Sequence, residues 1–323
     1  MLFLLKSIAF PCIMIGLLGC RNSDNEPEPD ASELIFHSGF EASVVGIPET
    51  AHLDLIGKDL TLIERNDWEL NLDAHPDIGD FSFQYEGGNE SERHAQLRPD
   101  PNDTQNTVLH FWLQHANVEQ NGVKTKGRVQ SNIYHNQNLT EIYQRIKLYL
   151  PDDFELLKQA PTTIGWLTLF EFWNNPEWIS EGLGFRISVD IKKLDATVNT
   201  PLTLGIHGQV FENDRYQSIW QMDNSSFTLP IDSWMDIEIY FKEGNEHEGR
   251  FIMTVATQEG PGMVVFDITN FTHHPNDPNP DGLSHFNPMK LYTSKGLIDY
   301  VRDNGKSLQV YWDDFELWKN KKP

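Results

Sequence analysis

The chain has 323 residues, with 48 acidic against 25 basic side chains and a formal net charge of −23. So acidic a surface excludes nucleic acid as a partner, and it repels long acidic polymers at a distance, so an anionic ligand must be met by a local cluster of Arg and Lys. The two cysteines are Cys12 and Cys20; nothing downstream of them can carry a disulfide, a thiol nucleophile or a thiolate metal site.

The first element is "MLFLLKSIAFPCIMIGLLGC" (1–20), which has one lysine and an apolar run too short to span a bilayer. A short apolar segment ending in small residues reads as a secretory signal, here 1–19. Its "LLGC" ending resembles a bacterial lipobox. That resemblance implies that Cys20 is lipid-modified and anchors the mature protein in the outer membrane or at the surface of a Gram-negative cell. A buried N-terminal helix is the alternative. Residues 20–32 are polar and acidic and cannot bury enough surface to fold, so they read as a tether. The remaining stretch (33–319), about 290 residues, is of a size that all-β folds reach as one domain.

Strand-like runs then recur between turn signals. They begin with "ELIFHSGFE" (33–41), "TLIER" (61–65), "VLHFWLQHA" (108–116), "GRVQSNIY" (127–134) and "EIYQRIKLYLP" (141–151). Further along come "WLTLFEFW" (166–173), "GFRISVDIKK" (184–193), "LTLGIHGQVF" (202–211), "MKLYTS" (289–294) and "LQVYWDDFELW" (308–318). Many alternate apolar and polar residues, the pattern of a half-buried antiparallel strand. The segment 231–257 reads as a hairpin turning at Gly244–Gly249, while "DDFELLKQ" and "SKGLIDYVRDNG" read as short helical turns. The run "THHPNDPNPDGLSHFNP" (272–288) reads as a long loop, either functional or merely solvated. This density of strands predicts an all-β sandwich of two curved antiparallel sheets.

Several of these motifs, taken in order, resemble the concanavalin-like jelly-roll polysaccharide lyases, a group that includes alginate, glucuronan and heparin lyases. The resemblance rests on "ELIFHSGFE", "KGRVQSNIY", "EIYQRIKLYLPDDF", "PMKLYTS" and "LQVYWDDFELW", and it spans most of 33–319. It implies a jelly roll whose concave sheet binds an anionic polysaccharide or its oligosaccharides. It also implies β-elimination as the chemistry, with the protein acting as a monomer and no cofactor required. One strand departs from the family pattern. Where those enzymes carry Gln-x-His, this chain has Glu171-Phe172-Trp173.

Elimination beside a uronic carboxylate needs a group that neutralises the carboxylate, a base for the carbon-bound proton and an acid for the leaving oxygen. Tyr292 is the candidate acid/base, with Lys290 on the same strand face to hold an anionic sugar. His207 is the candidate base, and it shares a face with Gln209. Gly205 and Gly208 beside it leave room for a ligand. Arg128, Gln130 and Asn132 form one polar strip suited to a carboxylate, with Arg as the bidentate partner; a solvated outer strip is the alternative. Tyr143, Arg145 and Lys147 form a second strip, read as solvated. Tyr134 and His135 follow the first strip and reach toward the groove rim.

Glu171 and Trp173 point the same way from an apolar strand. Trp173, and with it Trp178, offers a ring on which a sugar can pack. Glu171 is costly if buried alone, so it must meet a cation, accept sugar hydroxyls or stay protonated. Glu41 and Asp314, near the first and last strands, are candidate ligands for a structural Ca²⁺, or else an ordinary surface pair. Hydrolysis needs two carboxyls at a defined separation, and no strand carries such a run. Two alternatives to polysaccharide cleavage stay open: an oligosaccharide dehydratase that expels water by the same chemistry, and a non-catalytic surface glycan-binding protein.

Overall fold

Residues 31–178, 182–257 and 260–323 are described by the computed structural model. The expected signal segment, Cys20 and nearly all of the expected tether therefore lie outside the described residues, and Ala31–Pro323 forms one unit. Alternating apolar and polar residues drive this unit into strands, because one face of each strand can then leave water.

In chain order the strands begin with β1 (Glu33–Ser38), β2 (Val45–Pro48), β3 (His52–Ile56), β4 (Asp80–Gln84), β5 (Arg93–Pro99), β6 (Thr107–Leu113) and β7 (Val118–Gln120). The middle of the chain supplies β8 (Val123–Tyr134), β9 (Glu141–Leu150), β10 (Thr168–Asn174), β11 (Phe185–Lys192), β12 (Thr203–Glu212) and β13 (Arg215–Asp223). The last part supplies β14 (Ser233–Lys242), β15 (Arg250–Thr257), β16 (Met263–Thr269), β17 (His285–Asn287), β18 (Lys290–Ser294) and β19 (Leu308–Lys319). Among the described residues helix is confined to short pieces, α1 (Glu155–Lys158), α2 (Lys295–Asp303), a π turn at Trp68–Asp73 and a 3₁₀ turn at Asp152–Phe154.

These strands make a two-sheet jelly-roll sandwich. One sheet runs β16-β15-β14-β9-β19-β6-β5 with β1 on β19, so the first and last strands are neighbours. The other runs β13-β12-β11-β10-β17-β8-β4-β3-β2, with β18 between β10 and β8 and β7 on β8. Every pairing is antiparallel. The core lies between the sheets and is knitted by aromatic contacts across them. Phe83 meets Phe111 edge-on at 5.8 Å, Phe170 meets Trp312 at 5.6 Å, and Phe172 stacks on Phe241 at 6.1 Å. Each fully buried ring contributes about 2–3 kcal/mol by leaving water.

Two expectations fail locally. "TLIER" forms no strand but a series of turns. The loop 272–288 is not wholly a loop, because His285–Asn287 forms β17, wedged between β10 and β8. The expected hairpin is present as β14–β15.

Candidate active site

On β10, Phe170 and Phe172 turn into the core, so Glu171 and Trp173 turn outward. The same alternation on β11 buries Ile187, Val189 and Ile191 and presents Arg186, Ser188 and Asp190. Register then assembles three rows across the outer face of the second sheet. One row is Arg128, Tyr292, Thr168 and Asp190. The next is His207, Ser188, Glu171 and Asn287. The third is Gln209, Arg186, Trp173, His285 and Tyr134.

The rows floor a groove of about 700 Å³ that holds Arg128, Glu171, Trp173, Arg186, Asp190, His207, Gln209 and Tyr292. A second chamber of about 290 Å³ holds Gln130, Asn132, Tyr134, His135, His285, Asn287 and Lys290. Glu86, Arg128, Trp173 and Trp178 line both. Tyr292, His207 and Arg128 therefore face one groove, whereas Gln130, Asn132 and Lys290 line the chamber beside it.

Glu171 answers its own question by meeting cations. Lys290 donates to its Oε2, Arg186 Nη1 stands 3.7 Å from Oε1, and Ser188 Oγ donates to Oε1 at 3.2 Å. Burial by itself would push the Glu171 carboxyl up, but Lys290 and Arg186 overcome it and hold the group ionised, well below the usual carboxylate range. Lys290 is only 1% exposed and also donates to Asn287 Oδ1 at 3.1 Å. It is thus spent on Glu171 rather than free for a sugar carboxylate, which corrects the expectation for it. Lys126, Arg128 and Lys290 lie 5.0–5.7 Å from the centre of the Tyr292 ring, and Trp166 packs against that ring at 4.9 Å.

Asp190 and His207 are neighbours that make no hydrogen bond to each other. His207 Nδ1 lies 3.4 Å from Asp190 Oδ2, and Thr168 Oγ1 donates to Asp190 Oδ1 at 2.7 Å. Burial raises Asp190 to about 6 and lowers His207 to about 4, with Arg186 and Lys192 adding to the latter. The glycines beside His207 leave less room than expected. A side chain at Gly205 would strike Lys192, and one at Gly208 would strike the Trp220 ring. That space is filled by protein.

Arg128 pairs with Glu86 across the groove, and burial lowers its pKa. Arg186 is held more loosely. Its Nε donates to neutral Gln209 Oε1 at 2.6 Å, and its guanidinium lies 4.2 Å over Tyr216 and 5.1 Å over Trp173. Trp173 is 4% exposed, packed against Trp178 and Tyr216, whereas Trp178 is 54% exposed at the rim. The stacking platform open to a ligand is thus Trp178. His135 is exposed and sits 2.9 Å from Asp80.

Tyr143, Arg145 and Lys147 lie on β9 in the opposite sheet, where Arg145 pairs with Asp236 and Lys147 with Asp314. Glu41 and Asp314 do come together around Gly39. They do not fit a Ca²⁺ site. Asp314 is held by Lys147 at 2.6 Å, and the intervening Asp59 carboxylate is satisfied by donors from Ser38, Gly39, Glu41 and Thr61. Among the described residues no group of three or more His, Cys, Asp or Glu side chains is placed to hold a metal.

Arg186, Ser188, Asp190 and Glu86 in the groove, and His285 and Asn287 in the chamber, are residues that motif reading passes over. For the first three the signal was present, because "FRISVDI" alternates polar residues on one face.

No family model matches the chain, and no curated protein matches it. Among solved structures it is similar to an endo-β-1,4-glucuronan lyase from the fungus Trichoderma reesei. There the identity is 15%, the match covers 72% of this chain and 89% of that one, and the TM-score is 0.45. It is also similar to an alginate lyase from Aplysia kurodai, at 9% identity over 69% and 86% of the two chains with a TM-score of 0.42. A third likeness is to the exoplasmic domain of VIP36 with Ca²⁺ and Man2 bound, at 10% identity over 74% and 80% with a TM-score of 0.37. What the groove can do follows from its own side chains.

Proposed function

We propose that the groove eliminates across a sugar ring beside a uronic carboxylate, in an oligosaccharide that contains uronic acid. The observation that carries this is the convergence on one groove of a phenol (Tyr292), an imidazole with a carboxylate behind it (His207 and Asp190) and two guanidinium groups (Arg128 and Arg186). Arg186 binds and neutralises the substrate carboxylate, since its closest partner is an uncharged amide that a carboxylate can displace. His207 is the base. Its lowered pKa leaves it neutral at pH 7, and with Nδ1 toward Asp190 the lone pair on Nε2 is turned to the ligand. As Nε2 takes the proton from the carbon next to the carboxylate, Asp190 stabilises the imidazolium. A carbon–carbon double bond forms, the bond to the neighbouring oxygen breaks, and Tyr292 gives that oxygen a proton. Strands lie about 4.8 Å apart and residues rise about 3.4 Å along them, so Tyr292 on β18 and His207 on β12, three strand steps and two residues apart, have backbones about 16 Å apart. Side chains reaching inward from both ends leave a gap suited to one sugar ring.

If the departing oxygen is a glycosidic one, the chain is cut; if it is a hydroxyl, water leaves and the protein is a dehydratase. The groove is lined by more carboxylates than cations. That balance favours short oligosaccharides over long polyanions, and short substrates suit the dehydratase variant. The cell-surface lipid anchor at Cys20 belongs to the same proposal, since it would hold the enzyme where oligosaccharides arrive. Incubation with uronic oligosaccharides, followed by absorbance of the unsaturated uronate and mass of the products, tests the reaction and separates the two outcomes. No unsaturated product from any uronic oligosaccharide would refute elimination and leave glycan binding, with Trp178 as the platform.

A further inference from the structure

The smaller chamber has a different chemical character from the groove it adjoins. Its floor is a hydrogen-bonded knot centred on Asn132 Oδ1, which accepts from Gln130 Nε2 at 2.7 Å and from Asn287 Nδ2 at 2.9 Å, with His285 Nε2 at 3.1 Å. Asn287 Nδ2 uses its two hydrogens on Asn132 Oδ1 and on the Ser131 carbonyl, at 2.7 Å. It therefore has none left for His285, although the two nitrogens lie 3.1 Å apart. The His285 proton must then sit on Nε2, pointing at Asn132, and Nδ1 is a bare acceptor.

Three buried polar atoms of this knot have no partner among the described residues: Gln130 Oε1, Asn132 Nδ2 and His285 Nδ1. Their side chains are each at least nine-tenths buried and line the chamber. Two are acceptors and one is a donor. Two sugar hydroxyls, each of which donates one hydrogen and can also accept, satisfy such a set. A carboxylate or sulfate offers acceptors only, and would face Gln130 Oε1 and His285 Nδ1 with nothing to give them, a costly arrangement in a buried site. The cations that border the chamber are already paired, Arg128 with Glu86 and Lys290 with Glu171. Trp178 supplies a ring face for sugar C–H groups.

We propose that this chamber is a subsite for a neutral sugar residue joined to the acidic residue in the main groove. The substrate is then a mixed oligosaccharide in which a uronic acid neighbours an uncharged sugar, rather than a run of uronic acids. This rests on the elimination reading for the groove but is tested separately.

The probes are an aldobiouronic acid, in which a uronic acid is linked to a neutral hexose, and the matching diuronic acid, each titrated calorimetrically into the full chain. The mixed disaccharide is expected to bind at least tenfold more tightly. His285→Phe, which keeps a ring but removes the acceptor, and Gln130→Leu, which keeps the bulk, should each lower its affinity about tenfold and leave the diuronic acid unaffected. Thermal melts identify a variant that fails to fold, and the other variant then decides. Equal or tighter binding of the diuronic acid, or equal losses for both probes, overturns the subsite. So does an absence of binding by either probe. Unsaturated product formed as fast from the diuronic acid as from the mixed one would sink the subsite and keep elimination. A His285-dependent preference without any unsaturated product would sink elimination and keep the subsite.

Discussion

Replacing Lys290 with methionine removes the cation that holds Glu171 ionised beneath the groove while preserving the bulk of the side chain. Both partners are almost wholly buried, so solvent cannot take over the task. Breaking a buried pair in this way costs about 3–5 kcal/mol, because a desolvated charge is left behind. Arg186 at 3.7 Å and Ser188 at 3.2 Å remain beside the carboxylate, which places the expected loss at the lower end, about 3 kcal/mol. For a domain of this size that corresponds to a drop in Tm of roughly 5 °C. Adding Glu171→Gln to Lys290→Met removes the stranded charge, and the double variant should regain at least about 2 kcal/mol of coupling. Urea unfolding of both single variants, the double variant and the parent at pH 7 measures this. A double variant as unstable as the sum of the two singles, or a Lys290→Met variant within about 1 kcal/mol of the parent, would show that the two groups do not depend on each other.

Phe172→Ala should cost about 3–5 kcal/mol by urea unfolding, since the ring is fully buried among Phe241, Phe251 and Phe286 and truncation leaves a cavity. Asp190 binds its proton more tightly in the folded state, at about 6 against an ordinary 3.8. The stability gained by protonating it is therefore present below pH 4 and lost as pH rises through 6. Asp190→Asn should remove a fall of about 3 kcal/mol across that window, read as the difference between parent and variant urea curves. Tyr292→Phe should retain oligosaccharide binding by calorimetry while slowing formation of the unsaturated product by about 10²–10⁴-fold. An unchanged rate would remove Tyr292 from the chemistry.

The sandwich was legible because burial on one face writes itself into a strand as alternation. "FRISVDIK" carries the period throughout and "TLFEFWN" carries it only across Phe170-Glu171-Phe172, and each is a strand of the floor of the groove. Alternation also tells which residues share a face, which is why the sequence alone pairs Glu171 with Trp173. It cannot tell which strands are neighbours. Lys290 is 119 residues from Glu171, and their meeting depends on β18 lying against β10. Sequence required that a buried Glu171 find a cation or stay protonated, but left every Lys and Arg equally eligible. His285 and Asn287 were hidden for a different reason. Three residues set among Asn, Asp and Pro carry no period, and β17 is a strand only because β10 and β8 supply partners on both sides. Local propensity opposes that strand and tertiary pairing overrides it. The two residues with the least local signal therefore sit on a floor already held by the strongly patterned strands, where each unpaired buried atom points to what a ligand must supply.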